Sequence, residues 1–278
     1  MSDGSIVKLS EFLRSPPGQY VLEWEQRHLD AAVADIFGYH ALQLGLPQID
    51  ALRENRMQLR FCAARRVPAT GEGARSTQVA VINRYEELPF ATHSIDLVVM
   101  PHILEFASDP HQVLREVERV LVPEGHLVIT GFNPYSFWGA RQYMARFGAS
   151  TFLPRAGHFI ALPRIKDWLT LLSFDVERGR FGCYVPSVRS DRWLARWRFM
   201  EKAGDRWWPV LGALYMLTAV KRVRGMRLVG AVWKRKEETA RRLAPVATTR
   251  TMMTADGQTA VVEGPDAAND RSPRQARA

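Results

Sequence analysis

The chain has 278 residues, 46% of them apolar, which is enough for one large α/β domain or two smaller ones. Its formal net charge of +9 has a local origin, because 15 of the 38 Lys and Arg residues, but only five of the 29 Asp and Glu residues, lie between positions 189 and 242. Cys62 and Cys183 lack the spacing of a metal or redox motif, which argues against a disulfide framework and predicts two buried thiols.

No targeting or membrane-spanning segment is predicted. The N-terminal residues lack the basic and apolar regions of a secretory signal. The longest apolar stretch, residues 207–220, is shorter than the roughly 20 residues that cross a bilayer. These features predict a cytoplasmic protein.

The first predicted element is a helix. Ser15 is a typical N-cap residue, Pro16 suits the first turn, and Gly38 lies beyond the end. Four residues at helical spacing form the apolar face of this helix: Leu22, Leu29, Val33 and Ile36.

Three strands are predicted next. The first, residues 40–44, ends at Gly45 and is followed by a short helix. The second and third strands, residues 57–64 and 78–83, flank a loop rich in Gly and Pro. Strands that alternate with helices favour a parallel sheet.

The clearest unit of the sequence is a strand, a helix and a second strand between residues 86 and 134. The continuous apolar run 95–100 is typical of a strand buried on both faces of a sheet. Asp109 and Pro110 predict the start of a helix, and the next strand follows at 126–132. Such a crossover between parallel strands is almost always right-handed.

This unit resembles the second half of class I S-adenosylmethionine-dependent methyltransferases. The motifs LPF, IDLVV, RVLVPEG and LVI occur in the order and spacing of that family, densely over residues 86–132 and more loosely over about 40–223. The resemblance implies a Rossmann-like α/β fold with a seven-stranded, mostly parallel sheet and helices on both faces. It implies a late helix and sixth strand within 162–186 and a last, antiparallel strand within 212–223.

The same resemblance predicts the domain organisation. Residues 1–39 form an N-terminal helical extension, and residues 40–235 form the methyltransferase-like domain. That domain contains a basic, Trp-rich insertion at 189–209. The low-complexity composition of residues 243–278 predicts a disordered tail.

S-adenosylmethionine is the cofactor that the resemblance implies, bound across the carboxyl ends of the first strands. His102 matches a family position beside the reaction centre and is the candidate catalytic base; the alternative is that it caps the strand end or packs under the next helix. No metal site is predicted. The cofactor contacts implied by position in the family pattern are Gln43, Leu44, Gly45, Gln48, Glu87, Leu88, Met100 and Pro101.

The sequence departs from the family at three places where acidic contacts are expected. Gln43 replaces the acid that ends the first strand, and Leu46 and Pro47 stand where small residues are usual. In place of the usual acids, the second strand offers Arg65 or Arg66, and the third offers Asn83 and Arg84. Neutral hydrogen bonds would weaken cofactor binding by roughly 1–3 kcal/mol.

Two functions agree with this pattern. The first is a methyltransferase acting on a small or lipid-like acceptor. The second is a catalytically inactive methyltransferase-fold protein that binds a membrane surface or a partner through the Trp-rich segment.

That segment itself has three interpretations. Trp193, Trp197 and Met200 follow helical spacing with arginines between them, which predicts an amphipathic helix. Such a helix suits peripheral contact with an anionic membrane, a lid over an apolar acceptor, or a packed helix with solvated arginines. Nucleic acid is disfavoured because the aromatic residues lie on one helical face, not along a groove.

Overall fold

The structure, a computed structural model, describes residues 9–64, 78–81, 84–144, 158–186, 192, 196–197 and 199–223. The chain divides into two units, Met1–Met226 and Arg227–Ala278, and every described residue belongs to the first. The predicted tail 243–278, the loop 65–77 and part of the Trp-rich segment therefore lie outside the described residues, and the predicted domain boundaries stay predictions.

Seven strands form one sheet with the order β3-β2-β1-β4-β5-β7-β6. Strands β1 to β5 pair in parallel, whereas β7 pairs antiparallel with both β5 and β6. The mostly parallel α/β sheet and the antiparallel last strand predicted from the sequence are thus confirmed. The strands are β1 (His40–Leu44), β2 (Leu59–Ala64), β3 (Gln78–Val81), β4 (Ile95–Pro101), β5 (Leu121–Phe132), β6 (Phe174–Gly182) and β7 (Leu214–Lys221).

Two helices begin where the capping residues of the sequence predict. The Ser15 hydroxyl accepts a hydrogen bond from the backbone N–H of Gly18, and the Asp109 carboxylate accepts one from Gln112. The helices are α1 (Pro16–Val33), α2 (Ile103–Phe106), α3 (Pro110–Val120), α4 (Phe137–Met144), α5 (Leu162–Leu171) and α6 (Phe199–Trp207), followed by a 3₁₀ turn at Pro209–Leu211.

The short helix predicted between β1 and β2 is wrong. Consecutive turns occupy this connection, and Ile49, Ala51 and Leu52 are buried in it. The side chain of Asn55 donates to the carbonyls of Val33 and Ile36, which ties the connection to the end of α1. Burial of this short segment against α1 therefore outweighs its helical pattern.

The core has two layers because side chains alternate across each buried strand. In β4, Leu97 and Val99 belong to the cluster that contains α1, whereas Val98 and Met100 belong to the cluster that contains α3 and α5. Both cysteines are buried and free, as predicted. Within the described ranges, no helix is long and apolar enough to span a bilayer.

Asp96 has a structural role at the start of β4. Its carboxylate accepts hydrogen bonds from the backbone N–H groups of Tyr39 (3.0 Å) and His40 (2.9 Å). These two bonds link β4 to the first residue of the neighbouring strand β1. The start of β1 is thereby positioned in the sheet.

Candidate functional site

The carboxyl ends of β1, β2 and β4 lie side by side at one edge of the sheet. In the pairing, Gln43 lies beside Cys62 of β2 and Val99 of β4. The chain leaves β1 through Gly45, which has a φ of +69°, a conformation that favours glycine. This is the edge at which α/β sheets bind their ligands.

Gln43 holds the turn after β1 together. Its side-chain nitrogen donates to the carbonyls of Gly45 (3.1 Å), Leu46 (3.0 Å) and Ile49 (2.7 Å), and its side-chain oxygen accepts from Ala51 (3.0 Å). The amide is buried and its hydrogen-bonding capacity is used within the loop. Gln43 therefore positions the Gly45 turn, and the direct cofactor contact predicted for its side chain is not available in this conformation.

Two side chains cover the backbone of Gly45. A Cβ at this position would lie 2.3 Å from Cδ1 of Ile103 and 3.1 Å from the hydroxyl oxygen of Tyr85. Both covering residues are buried. The turn geometry fits the methionine part of S-adenosylmethionine, but the space directly above Gly45 holds Ile103 and does not fit it in this conformation.

His102 lies directly after β4 at the same edge, and it is buried. It adopts a φ of 53°, and its Nδ1 lies 2.9 Å from Oε2 of Glu105. Its Nε2 lies 2.9 Å from Oε1 of Glu25 on α1, in a direction that is not that of a hydrogen bond, so this second contact is electrostatic. The backbone N–H of Phe132 donates to the other oxygen of Glu105. Glu25, His102 and Glu105 are hereafter the buried ionic cluster.

The electrostatics of this cluster keep His102 charged. Burial alone would lower the pKa of His102, but the carboxylates of Glu25 and Glu105 outweigh burial and raise it to about 10. Burial raises the pKa of Glu105, against the opposing effect of His102. A protonated imidazole has no lone pair to accept a proton, so this conformation gives His102 the packing role; its role as a catalytic base stays a prediction.

The other predicted contact residues divide into buried and exposed sets. Leu44, Leu88, Met100 and Pro101 are buried, so none of them is accessible to a ligand in this conformation. Glu87 is exposed and lies 3.7 Å from Arg84, and the side chain of Gln48 donates to Ser10. Glu87 thus lies at the surface beside the side chain of Arg84.

Three of the residues expected to replace the acids of β2 and β3 cannot be placed. Arg65, Arg66 and Asn83 lie outside the described residues. Contacts to the ribose and the adenine of the cofactor therefore stay predictions.

The sequence interpretation missed three residues of this edge: Glu25, Tyr85 and Ile103. Glu25 is a glutamate near the middle of an amphipathic helix and is fully buried, an arrangement that requires a charged or hydrogen-bonding partner. That partner, His102, lies 77 positions away. Apolar spacing gives no signal for such a long-range pair.

Exposed aromatic residues surround the end of β5. The side chain of Asn133 donates to the carbonyls of Val210 (2.7 Å) and Gly212 (2.9 Å), which brings the turn after β5 against the segment after α6. Five large apolar side chains in these two parts of the chain are exposed, and they are hereafter called the aromatic surface: Tyr135, Phe137, Trp207, Trp208 and Val210.

Known proteins match this chain over most of its length. The family described as a methyltransferase domain matches residues 58–129. The uncharacterized protein YafS of Escherichia coli is 32% identical over 208 residues, which cover 74% of this chain and 78% of that protein. The demethylmenaquinone methyltransferase of Chlamydia pneumoniae is 44% identical over 48 residues, 17% of this chain and 21% of that protein.

Solved structures share the fold. A chain in the complex that contains the Haloferax volcanii Trm112 methyltransferase activator matches with a TM-score of 0.56 and 13% identity, covering 80% of this chain and 99% of that one. An S-adenosylmethionine-dependent methyltransferase from Mesorhizobium loti matches with a TM-score of 0.50 and 16% identity, covering 72% of this chain and 97% of that one. At these identities the likeness concerns the fold alone.

Proposed function

Because this chain belongs to the class I S-adenosylmethionine-dependent methyltransferases, we propose that it transfers a methyl group from S-adenosylmethionine to a small or lipid-like acceptor. The observation that carries the proposal is the glycine turn after β1, which has a positive φ and lies beside the end of β4. The comparisons give no support to the alternative of a catalytically inactive binding protein.

The residues at this edge would have different roles in binding S-adenosylmethionine. The Gly45 backbone and the ends of β1 and β4 would hold the methionine part, and Gln43 would fix the shape of the Gly45 turn. The bound cofactor supplies a sulfonium whose methyl group is transferred to a nucleophile. The protein then has to align the acceptor and exclude water, which demands few catalytic side chains.

Binding requires a rearrangement of Ile103. Its Cδ1 covers Gly45, and α2, on which it lies, has only four residues. Because Glu105 of α2 belongs to the buried ionic cluster, the side chain of Ile103 and not the helix would have to move to uncover the turn. The buried ionic cluster fixes the start of α2 through His102.

The aromatic surface supports an apolar acceptor. Its side chains lie around the end of β5, adjacent to the strand ends that would hold the cofactor. Exposed clusters of large apolar residues are typical of sites that bind apolar ligands or membranes. The Chlamydia pneumoniae relative is named for demethylmenaquinone, an apolar quinone, which agrees with an acceptor of this class.

The same surface supports peripheral contact with an anionic membrane. Trp207 and Trp208 are 70% and 54% exposed, and Arg206 beside them is exposed. Trp and Arg together suit the interface of an anionic bilayer. A membrane at this surface would present a lipid-like acceptor to the end of β5.

Calorimetric titration with S-adenosylmethionine and S-adenosylhomocysteine tests the proposal. We expect the wild-type protein to bind both ligands, and Ile103→Ala to bind them several-fold more tightly because Cδ1 no longer covers Gly45. Leu104→Ala, a buried neighbour on the same helix, is the matched control and should bind no more tightly than the wild type. The absence of heat and of a thermal shift at millimolar ligand, in both the wild type and Ile103→Ala, would contradict the proposal.

The acceptor class has its own assay. Wild-type protein is incubated with methyl-labelled S-adenosylmethionine and with either lipid extract or the water-soluble small-molecule fraction. Label in an extractable lipid identifies a lipid-like acceptor, whereas label in the soluble fraction identifies a small polar one.

A further inference from the structure

A cavity of about 520 Å³ lies between α1 and the antiparallel side of the sheet. This volume is within the range of small-molecule sites. Neither Gly45 nor His102 lines it, so it is separate from the candidate cofactor edge. One wall consists of His28, Ala31 and Ala32 of α1 and of Asp35 and Ile36 after it. The sheet supplies the other wall, which includes Arg178, Arg180 and Met216.

A β-bulge turns two arginines into this cavity. The register between β6 and β7 shifts between Val176 and Arg178, so Glu177 is the extra residue of the edge strand β6. Arg178 then pairs with Thr218 and Arg180 with Met216, and paired residues project on the same face of a sheet. An uninterrupted alternation would have put Arg178 on the face of Val176, which packs against the opposite core layer.

Both guanidinium groups are free of protein partners. Within the described part of the chain, neither Arg178 nor Arg180 makes a hydrogen bond or an ion pair. The carboxylate of Glu177 lies 3.4 Å from Arg222, and Asp35 lies exposed beyond the last turn of α1. Among the described residues, neither acid forms an ion pair with Arg178 or Arg180.

His28 lines the cavity with the two arginines. Its Nδ1 lies 2.7 Å from the carbonyl oxygen of Trp24, so in the neutral ring Nδ1 carries the proton and Nε2 is left unprotonated. Burial lowers the pKa of His28, the Trp24 carbonyl opposes this effect, and the charge of Arg180 lowers the pKa further. Arg180 is thus close enough for its charge to act on the ring, and a bound anion would reverse that effect.

We propose that this cavity binds the phosphate group of a small organic phosphomonoester between Arg178 and Arg180, beside His28. Guanidinium groups match phosphate oxygens in paired hydrogen bonds. The volume exceeds that of a phosphate group alone, and Ala31, Ile36 and Met216 offer apolar contact to an organic portion. The negative end of the α1 dipole lies toward Asp35, which places the anion at the Arg180 end.

Titration with glycerol 3-phosphate and with inorganic phosphate tests the site, with the imidazole resonances of His28 followed by NMR. We expect a saturable shift of the His28 resonances and a rise of its pKa when phosphate binds. The double variant Arg178→Gln/Arg180→Gln should weaken binding at least about tenfold, because charge-assisted hydrogen bonds are lost. Arg115→Gln, an exposed arginine on α3, is the matched control and should bind like the wild type.

The result that overturns the proposal is a wild-type titration with no saturable His28 shift at tens of millimolar phosphate. Equal affinity in the double variant would overturn it as well. A second titration with vesicles identifies the source of the phosphomonoester. Vesicles that contain phosphatidic acid are compared with phosphatidylcholine vesicles and with free glycerol 3-phosphate. Tighter binding to the phosphatidic acid vesicles than to either of the others supports a lipid headgroup. Binding to glycerol 3-phosphate without a preference for vesicles supports a soluble metabolite.

Discussion

At the residue scale, the buried ionic cluster dominates the candidate site. A histidine between two fully buried carboxylates is costly to bury and still more costly to break, because removal of one member leaves uncompensated charge. The cluster joins α1 to the end of β4 and to Phe132 of β5. It therefore fixes the geometry of the strand ends on which function depends.

Replacement of His102 by alanine should destabilise the protein by about 3–5 kcal/mol, since Glu25 and Glu105 would remain buried without a cation. Urea unfolding at pH 7 measures this loss. His93→Asn, at an exposed position with a φ of 54° that asparagine tolerates, is the control and should change stability by less than about 0.5 kcal/mol. A loss below about 1 kcal/mol in His102→Ala would show that the cluster is not stabilising.

The raised pKa of His102 also predicts how stability depends on pH. In the folded state His102 holds its proton up to about pH 10, whereas in the unfolded chain it loses the proton near 6.5. Its contribution to stability is complete below pH 6.5 and declines as pH rises toward 10. The raised pKa of Glu105 acts in the same direction.

Between pH 6.5 and 8.5 the His102 contribution should fall by about 2 kcal/mol. The measurement is urea unfolding at both pH values for the wild type and His102→Ala, because subtraction removes the other titrating groups. The wild type should lose about this much more stability than the variant. Equal losses in the two proteins would show that His102 does not titrate in this way.

At the scale of elements, α1 is part of the core and not an appendage. Val21, Leu29 and Val33 are fully buried against the sheet, and the same helix supplies Glu25 to the ionic cluster and His28 to the cavity. The N-terminal extension predicted for residues 1–39 thus provides one layer of the fold. Both candidate sites depend on its position.

Leu29→Ala should cost about 2–5 kcal/mol, because it leaves a cavity between α1 and the sheet. Leu171→Ala, at a leucine on α5 that is 82% exposed, is the matched control and should change stability by less than about 0.5 kcal/mol. Thermal or urea unfolding measures both. Similar effects of the two substitutions would mean that α1 is only loosely attached.

At the scale of the whole molecule, the basic surplus and part of the aromatic surface lie in the same part of the chain. The segment 189–242 carries the basic surplus, and it includes Trp207, Trp208 and Val210 of the aromatic surface. If the rest of the surface is neutral, this basic segment is the part of the molecule that an anionic membrane would attract. The proposed acceptor and the proposed membrane contact then share one orientation of the molecule.

Vesicle sedimentation tests that orientation. Binding to vesicles with phosphatidylserine should exceed binding to phosphatidylcholine vesicles and should weaken as salt rises, because the electrostatic part is screened. Trp207→Ser/Trp208→Ser should reduce binding several-fold, whereas Phe37→Ser, at another exposed aromatic residue, should not. Binding that changes neither with salt concentration nor with the substitution of both tryptophans would contradict the membrane proposal.

The sequence by itself determined the elements and their order. Capping residues at Ser15 and Asp109, the apolar run of β4 and the glycine at position 45 act through contacts within a few residues, so they can be read along the chain. The motifs of residues 86–132 then implied the mostly parallel sheet that the structure has. The one clear error, the short helix before β2, arose where burial against α1 overrode a local pattern.

Only the tertiary structure decided what the polar residues do. Glu25 contacts His102, which lies 77 positions away in the sequence. Ile103 and Tyr85 cover Gly45. A single extra residue in β6 places Arg178 on the face of the sheet that lines the cavity. Each of these contacts depends on the packing of separate elements or on strand register. The spacing of residues along one element encodes neither the packing nor the register. That is why the fold was predictable from the sequence, whereas the choice between the two roles of His102, its charge and the phosphate-binding cavity were not.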